Sequence, residues 1–186
     1  MSVFEKYIDD LTFIEGGYQN RADDPGNYNS EKELVGTNHG ISAPVYERWI
    51  GRVPTEANMR AITKPIALQI IKAWYWDKVQ ASFINSQAVA ENIADHAINA
   101  GTGSAAGIVQ EVLNYEFNKD LSVDGVIGPM TIDAINSVDQ TKLFQKFSQY
   151  RIDYYRSINN RSWLRIWENR VKYLARKFNI DIKKKV

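Results

Sequence analysis

Glu15 stands where an apolar stripe runs into two glycines. Val3, Phe4, Tyr7, Ile8, Leu11 and Ile14 recur at the three-four spacing of an amphipathic helix. Leu11, Ile8 and Phe4 lie four, seven and eleven residues before Glu15, so the same face carries its carboxyl inward. Protein interiors rarely accept a Glu without a reason. Gly16 and Gly17 then end the helix. A carboxyl at a helix end and half out of water keeps its proton near neutral pH, because desolvation disfavours the charged form. That is the chemistry of a general acid. The alternative is a Glu of the last helical turn that swings into solvent, and the stripe alone leaves both open.

A general acid serves reactions in which a leaving oxygen must be protonated; glycosidic cleavage is one of them, and there a second group stabilises the oxocarbenium-like centre or activates a water. Asp24 is the candidate for that second group, with Asp23 its immediate rival. Ahead of Pro25-Gly26, Asp24 could equally cap a turn. Sugar rings present flat C–H faces, so aromatic platforms are expected beside such a pair. Tyr18 follows the glycines and either walls the cleft or packs beneath it. In Trp74-Tyr75-Trp76, successive helical residues point about 100° apart, so one ring must leave the core. Trp74 continues the stripe of Ile70 and Ile71, which makes Trp76 the ring expected at the surface. His39, in Asn38-His39-Gly40, is a substrate contact or a turn residue. Asn99, four residues past Asp95 on one helix face, bonds substrate or backbone.

Almost every element needed to position these groups reads as helix. Residues 19–41 are rich in Asn, Asp, Gly and Pro and form a long loop or a small β-hairpin. Ala43 to Gly51 and Thr55 to Ile62 follow as short helices, then a helix capped by Thr63 with Pro65 in its first turn. Ser86 starts a helix that stops at Gly101, and Ser104 to Phe117 is another. Pro129, Leu143 and Trp163 mark three more. The fold class is all-α. Asp124-Gly125 with Gly128-Pro129 and Thr131 makes a tight turn feeding a helix.

The segment EGGYQNRADDPGNYNSEKELVGTNHGIS resembles the signature of glycoside hydrolase family 108, N-acetylmuramidases of the lysozyme superfamily. The matching residues are Glu15 to Tyr18, Asp24-Pro25-Gly26, Thr37 and Gly40-Ile41. The resemblance implies that Glu15 is the catalytic acid, and the eight residues between Glu15 and Asp24 match the Glu/Asp pair of phage lysozymes. It also implies that Thr37 orients the attacking water, where a loop Thr bonded to its own backbone is the alternative. Asn27 replaces the family's second Gly, and about eight extra residues (Tyr28 to Val35) precede Thr37. Downstream, ENIADHAINAGTGSAAGIVQ and VDGVIGPMTIDAI resemble the family's peptidoglycan-binding segment.

The expected organisation is therefore a muramidase segment over 1–85 and a peptidoglycan-binding-like helical segment over 86–186, completing one lysozyme-like unit. The expected activity is hydrolysis of the β-1,4 bond between N-acetylmuramic acid and N-acetylglucosamine. Two alternatives stand beside it: a wall-glycan-binding protein without catalysis, and a lytic transglycosylase using the same Glu.

Composition agrees. With 23 Lys and Arg against 22 Asp and Glu in 186 residues the net charge is +1, which gives no basic field for nucleic acid. No Cys and two His exclude thiol chemistry and argue against a metal site, and no cofactor is expected. The partner is the peptidoglycan strand, met by a monomer without membrane insertion. The N-terminal pattern does not read as a signal peptide, and the family resemblance implies holin-dependent release from the cytoplasm to the wall, as in phage and prophage lysis cassettes.

Overall fold

The computed structural model describes residues 1–9, 11, 16–158 and 161–182, with backbone alone at 161 and 162. Glu15 lies outside the described residues. Among those described there are nine α-helices and one two-stranded antiparallel sheet, the mainly helical architecture with a small hairpin that the sequence implies. They fall into two compact units, Glu5–Lys72 and Met1–Phe4 with Ala73–Val186.

In the first unit α1 (Glu5–Ile8) is a single turn. A continuous helix past this point was expected, but Leu11 is not helical. Its N–H bonds to Ile8 O at 3.0 Å, an i−3 closure rather than the i−4 bond that propagates a helix. Tyr7 and Leu11 are nonetheless buried. The three-four spacing marks a buried side that the backbone reaches without unbroken helix. Strand β1 (Tyr18–Gln19) pairs with β2 (Thr37–Asn38), Tyr18 opposite Asn38 and Gln19 opposite Thr37. Between them the chain makes a 3₁₀ turn at Pro25–Asn27 and a narrow loop closed by a bridge from Tyr28 to Leu34.

The helices that follow start and stop on local signals. Pro44 sits in the first turn of α2 (Ala43–Ile50), where its missing N–H is harmless, and Gly51 ends it at φ 69°. Thr55 and Asn58 cap α3 (Glu56–Arg60) reciprocally, side chain to backbone in both directions. α4 (Lys64–Ile71) buries Ala67, Ile70 and Ile71, then widens into a π-helical turn, Lys72–Trp76.

In the second unit α5 (Gln87–Ala100) is the axis. Helices α6 (Thr102–Phe117), α8 (Gln140–Ser157) and α9 (Arg161–Lys177) pack on it, and α7 (Pro129–Asn136) lies against α6 and α8. Every residue from Ala88 to Ala97 is buried. A helix surrounded on all sides is usually apolar on all sides, yet this one carries Glu91, Asn92, Asp95 and His96 inward. Each has partners. Lys177 Nζ lies 2.8 Å from Glu91, Arg151 Nη1 donates to Asn92 Oδ1 at 2.8 Å, and Asn92 Nδ2 donates to Ser148 Oγ at 2.8 Å. Asp95 is clasped by Arg151 and Arg170.

Burial alone would push the Asp95 carboxyl up, but the two guanidinium groups outweigh it and hold it below the usual carboxylate range. Burial, reinforced by the Arg151 charge, pushes His96 down to about 3. The imidazole is thus neutral, bonded to Tyr155 Oη at 2.8 Å and Ser104 Oγ at 3.1 Å. At the chain start, Ser2 N–H donates to Ile84 O (2.8 Å) and Val3 N–H to Gln87 Oε1 (2.7 Å), while Phe4 meets Trp76 edge-on at 5.5 Å.

Candidate active site

The residues singled out between Tyr18 and His39 all fall on the hairpin of the first unit, and one hydrogen-bond network ties most of them together. Its centre is Asn27, which is 0 % exposed. Gln19 Nε2 donates to Asn27 Oδ1 at 3.0 Å and Asn27 Nδ2 returns a bond to Gln19 Oε1 at 2.9 Å. Asn27 Nδ2 also donates to Arg21 O (2.8 Å), and its carbonyl accepts from Val35 and Gly36 N–H, both at 2.9 Å. Where the family pattern has a glycine, this chain has the amide that organises the loop. The substitution itself was the available signal: an Asn in a Gly position that faces inward must find partners for three or four polar valences.

Asp24 and Thr37 both bond the backbone of Gly26. Asp24 Oδ1 accepts from Gly26 N–H at 2.9 Å, and Thr37 Oγ1 donates to Gly26 O at 3.4 Å. Gln19 Nε2 reaches Asp24 Oδ2 at 3.3 Å. Asp24 is thus the cap of the 3₁₀ turn, half-buried, with both oxygens accepting. Capping does not remove it from chemistry. It fixes the carboxylate's direction, as an electrostatic partner requires. Its rival Asp23 is exposed and paired with Arg21 at 2.7 Å, a contact that lowers its pKa. The long Thr37 bond leaves that hydroxyl weakly committed.

Tyr18 is half-buried and held on several sides. Its hydroxyl donates to Val35 O at 3.1 Å, and the Arg60 guanidinium lies 3.8 Å from the ring centre. A Cβ on Gly36 would come within 2.6 Å of Tyr18 Cε2, and Gly36 has φ +89°, so only glycine fits there. Asn38, buried beside it on β2, donates its amide to the carbonyls of Met59 (2.9 Å), Arg60 (3.2 Å) and Ile62 (3.2 Å), closing the C-terminal end of α3. His39 is a turn residue. With φ +47°, it precedes Gly40 at φ +74°, and Ile41 N–H bonds to Asn38 O at 2.8 Å. Two successive left-handed residues are the requirement of a type I′ hairpin turn. His39 is half-buried, and its N–H donates to Gly17 O at 3.3 Å.

One expectation is corrected in the second unit. Trp76 is 0 % exposed and its Nε1 donates to Ser82 Oγ at 2.8 Å, so it offers no ring face to a sugar. The α-helical wheel pointed it outward, but residues 72–76 are π-helical, each advancing less than the α-helical step, and the ring turns back into the core. Trp74 and Tyr75 are half-buried instead. Asn99, half-buried, makes the backbone bond that is one of its two expected roles: its Nδ2 donates to Asp95 O at 2.6 Å. The Asp124-Gly125 turn is built around Gln110, which donates to Asp124 Oδ1 (2.8 Å) and Val126 O (3.0 Å) and accepts from Gly125 N–H (3.1 Å). Among the described residues no group of three or more His, Cys, Asp or Glu side chains could hold a metal, and no helix is long and apolar enough to cross a membrane.

Compared with known families, residues 8–101 match Glycosyl hydrolase 108 and residues 104–175 match a second model, Predicted Peptidoglycan domain. Among solved structures the chain is similar to that titled Structure of Brucella abortus SagA, with 26% identity and a TM-score of 0.80 over 97% of this chain and 96% of that one. No curated protein matches.

Proposed function

The chain belongs to the glycosyl hydrolase 108 family and carries a peptidoglycan domain, which makes it a glycoside hydrolase acting on peptidoglycan, and from that premise we propose that it is an N-acetylmuramidase with Glu15 as general acid. In this reading Glu15 gives its proton to the oxygen between N-acetylmuramic acid and N-acetylglucosamine, since an alkoxide is a poor leaving group at neutral pH. Asp24 faces the developing oxocarbenium ion or activates the water that captures it. Thr37 orients that water through its loosely held hydroxyl, and Tyr18 and His39 contact the sugar.

The observation that carries the reading is the shared grip on Gly26, with Asp24 on its N–H and Thr37 on its carbonyl, a few residues after the Glu15-Gly16-Gly17-Tyr18 motif. It brings two residues of the motif to one rigid turn. Residues 1–85 supply the chemistry and 86–186 the peptidoglycan segment, acting at the wall after release from the cytoplasm. Mass spectrometry of wall digests tests the bond and the reaction. New reducing N-acetylmuramic acid ends are expected. Anhydro ends would show a transglycosylase, reducing N-acetylglucosamine ends a different bond, and uncut glycan a binder.

A further inference from the structure

The loop inserted relative to the family pattern forms one wall of a cavity of about 490 Å³, whose opposite wall is α2 and the turn after it. Tyr28, Asn29 and Ser30 stand on the inserted side, facing Pro44, Glu47, Arg48 and the Gly51 to Val53 turn. This volume is within the usual range for small-ligand sites.

The insert is built to hold its shape. Asn29 Oδ1 accepts from the N–H groups of Glu31 (3.1 Å) and Glu33 (2.9 Å), while its Nδ2 donates to Glu33 Oε2 (2.9 Å) and to Pro54 O (3.1 Å). The bridge between Tyr28 and Leu34 closes the base. The one carboxylate in the lining, Glu47, is hydrogen-bonded by the insert, through the Ser30 N–H (3.0 Å) and the Ser30 hydroxyl. Arg48 and Arg52 add two positive charges to the lining, and Arg52 commits Nη1 to Asn58 Oδ1 at 3.3 Å. The Tyr28 ring, Pro44 and Val53 supply the apolar part. A pocket with this lining favours a short chain of small apolar groups ending in a carboxylate.

We propose that this cavity is a subsite for the peptide stem of the wall strand, with Arg48 and Arg52 receiving a stem carboxylate. The inference rests on the muramidase reading for the identity of the substrate. It assigns to the insertion a role in choosing among walls that differ in whether their stems are amidated.

Calorimetric titration tests it with a ligand the enzyme cannot cut, the N-acetylglucosaminyl-N-acetylmuramyl disaccharide peptide, which lacks the bond a muramidase cleaves. The free-acid stem is expected to bind about tenfold more tightly than the amidated one. The Arg48→Gln, Arg52→Gln double variant is expected to abolish the difference, and the Arg48→Lys, Arg52→Lys variant to retain most of it. Both arginines are exposed, and unchanged thermal melting of each variant checks its fold. Equal binding of the two stems, a preference that survives the Gln variant, or glycerol phosphate competing as well as the stem would each overturn the proposal. Failure of the muramidase reading would instead appear in the wall digests, while the titration still reported the stem preference.

Discussion

The side-chain amides of Gln19 and Asn27 face each other across the hairpin, each donating to the other's oxygen at 2.9–3.0 Å. The pair links β1 to the turn that carries Asp24, because Gln19 also reaches the Asp24 carboxylate. Asn27→Gly, which restores the family pattern, removes one member and leaves buried N–H groups of Val35 and Gly36 bonded to a less constrained carbonyl. The expected loss is about 1–3 kcal/mol of stability, the range for stripping partners from a buried polar group. Urea unfolding measures it. Activity should fall further than stability does, because the direction of Asp24 depends on the same turn.

His96 gives the protein an acid-labile core. Its folded pKa, about 3, is below the ordinary value of 6.5, so the unfolded chain binds the proton first. Stability from this group is fully present above pH 6.5 and drains away as pH falls toward 3, at a rate of up to about 1.4 kcal/mol per pH unit. Asp95, also held low, adds to the loss below its ordinary 3.8, where the unfolded carboxyl protonates and the folded one resists. Urea midpoints between pH 7 and pH 4 should therefore decline steadily. In His96→Gln the decline over this range should flatten, and a slope unchanged in that variant would contradict the assignment to His96.

Trp76→Phe should cost about 1 kcal/mol through the lost bond to Ser82 Oγ, whereas Trp76→Ala should cost about 3–5 kcal/mol as a core cavity. In both variants KM for wall fragments should match the parent at temperatures where the variant is folded. A KM increase in the Phe variant without a shift in melting would restore the ring as a sugar platform.

These cases show where the sequence is informative. Helix starts and stops were legible because Thr55, Ser86, Pro44, Pro129, Gly51 and Gly101 act locally. The hairpin over 19–41 was legible from its turn residues, and its closing turn from Asn38-His39-Gly40. Trp76 was misplaced because a π turn breaks the angular step on which any helical wheel relies, and nothing in Lys72–Trp76 announces one. The inward carboxylates of α5 teach a related lesson. Glu91 and Asp95 sit on a buried face just as Glu15 is expected to, yet they answer to Lys177, Arg151 and Arg170, which lie more than fifty residues away. A carboxylate on an apolar stripe thus signals either a reactive acid or a distant cation. For Glu15 it is the glycine break and the motif that favour the acid.

The most direct test is the rate at which Glu15→Gln releases reducing ends from purified peptidoglycan, set against the parent at equal folded concentration. Gln keeps the shape and the hydrogen-bonding capacity but has no proton to give. A loss of at least about a hundredfold is expected, the usual contribution of a general acid. Activity within a few-fold of the parent would contradict the account and place the acid on another residue.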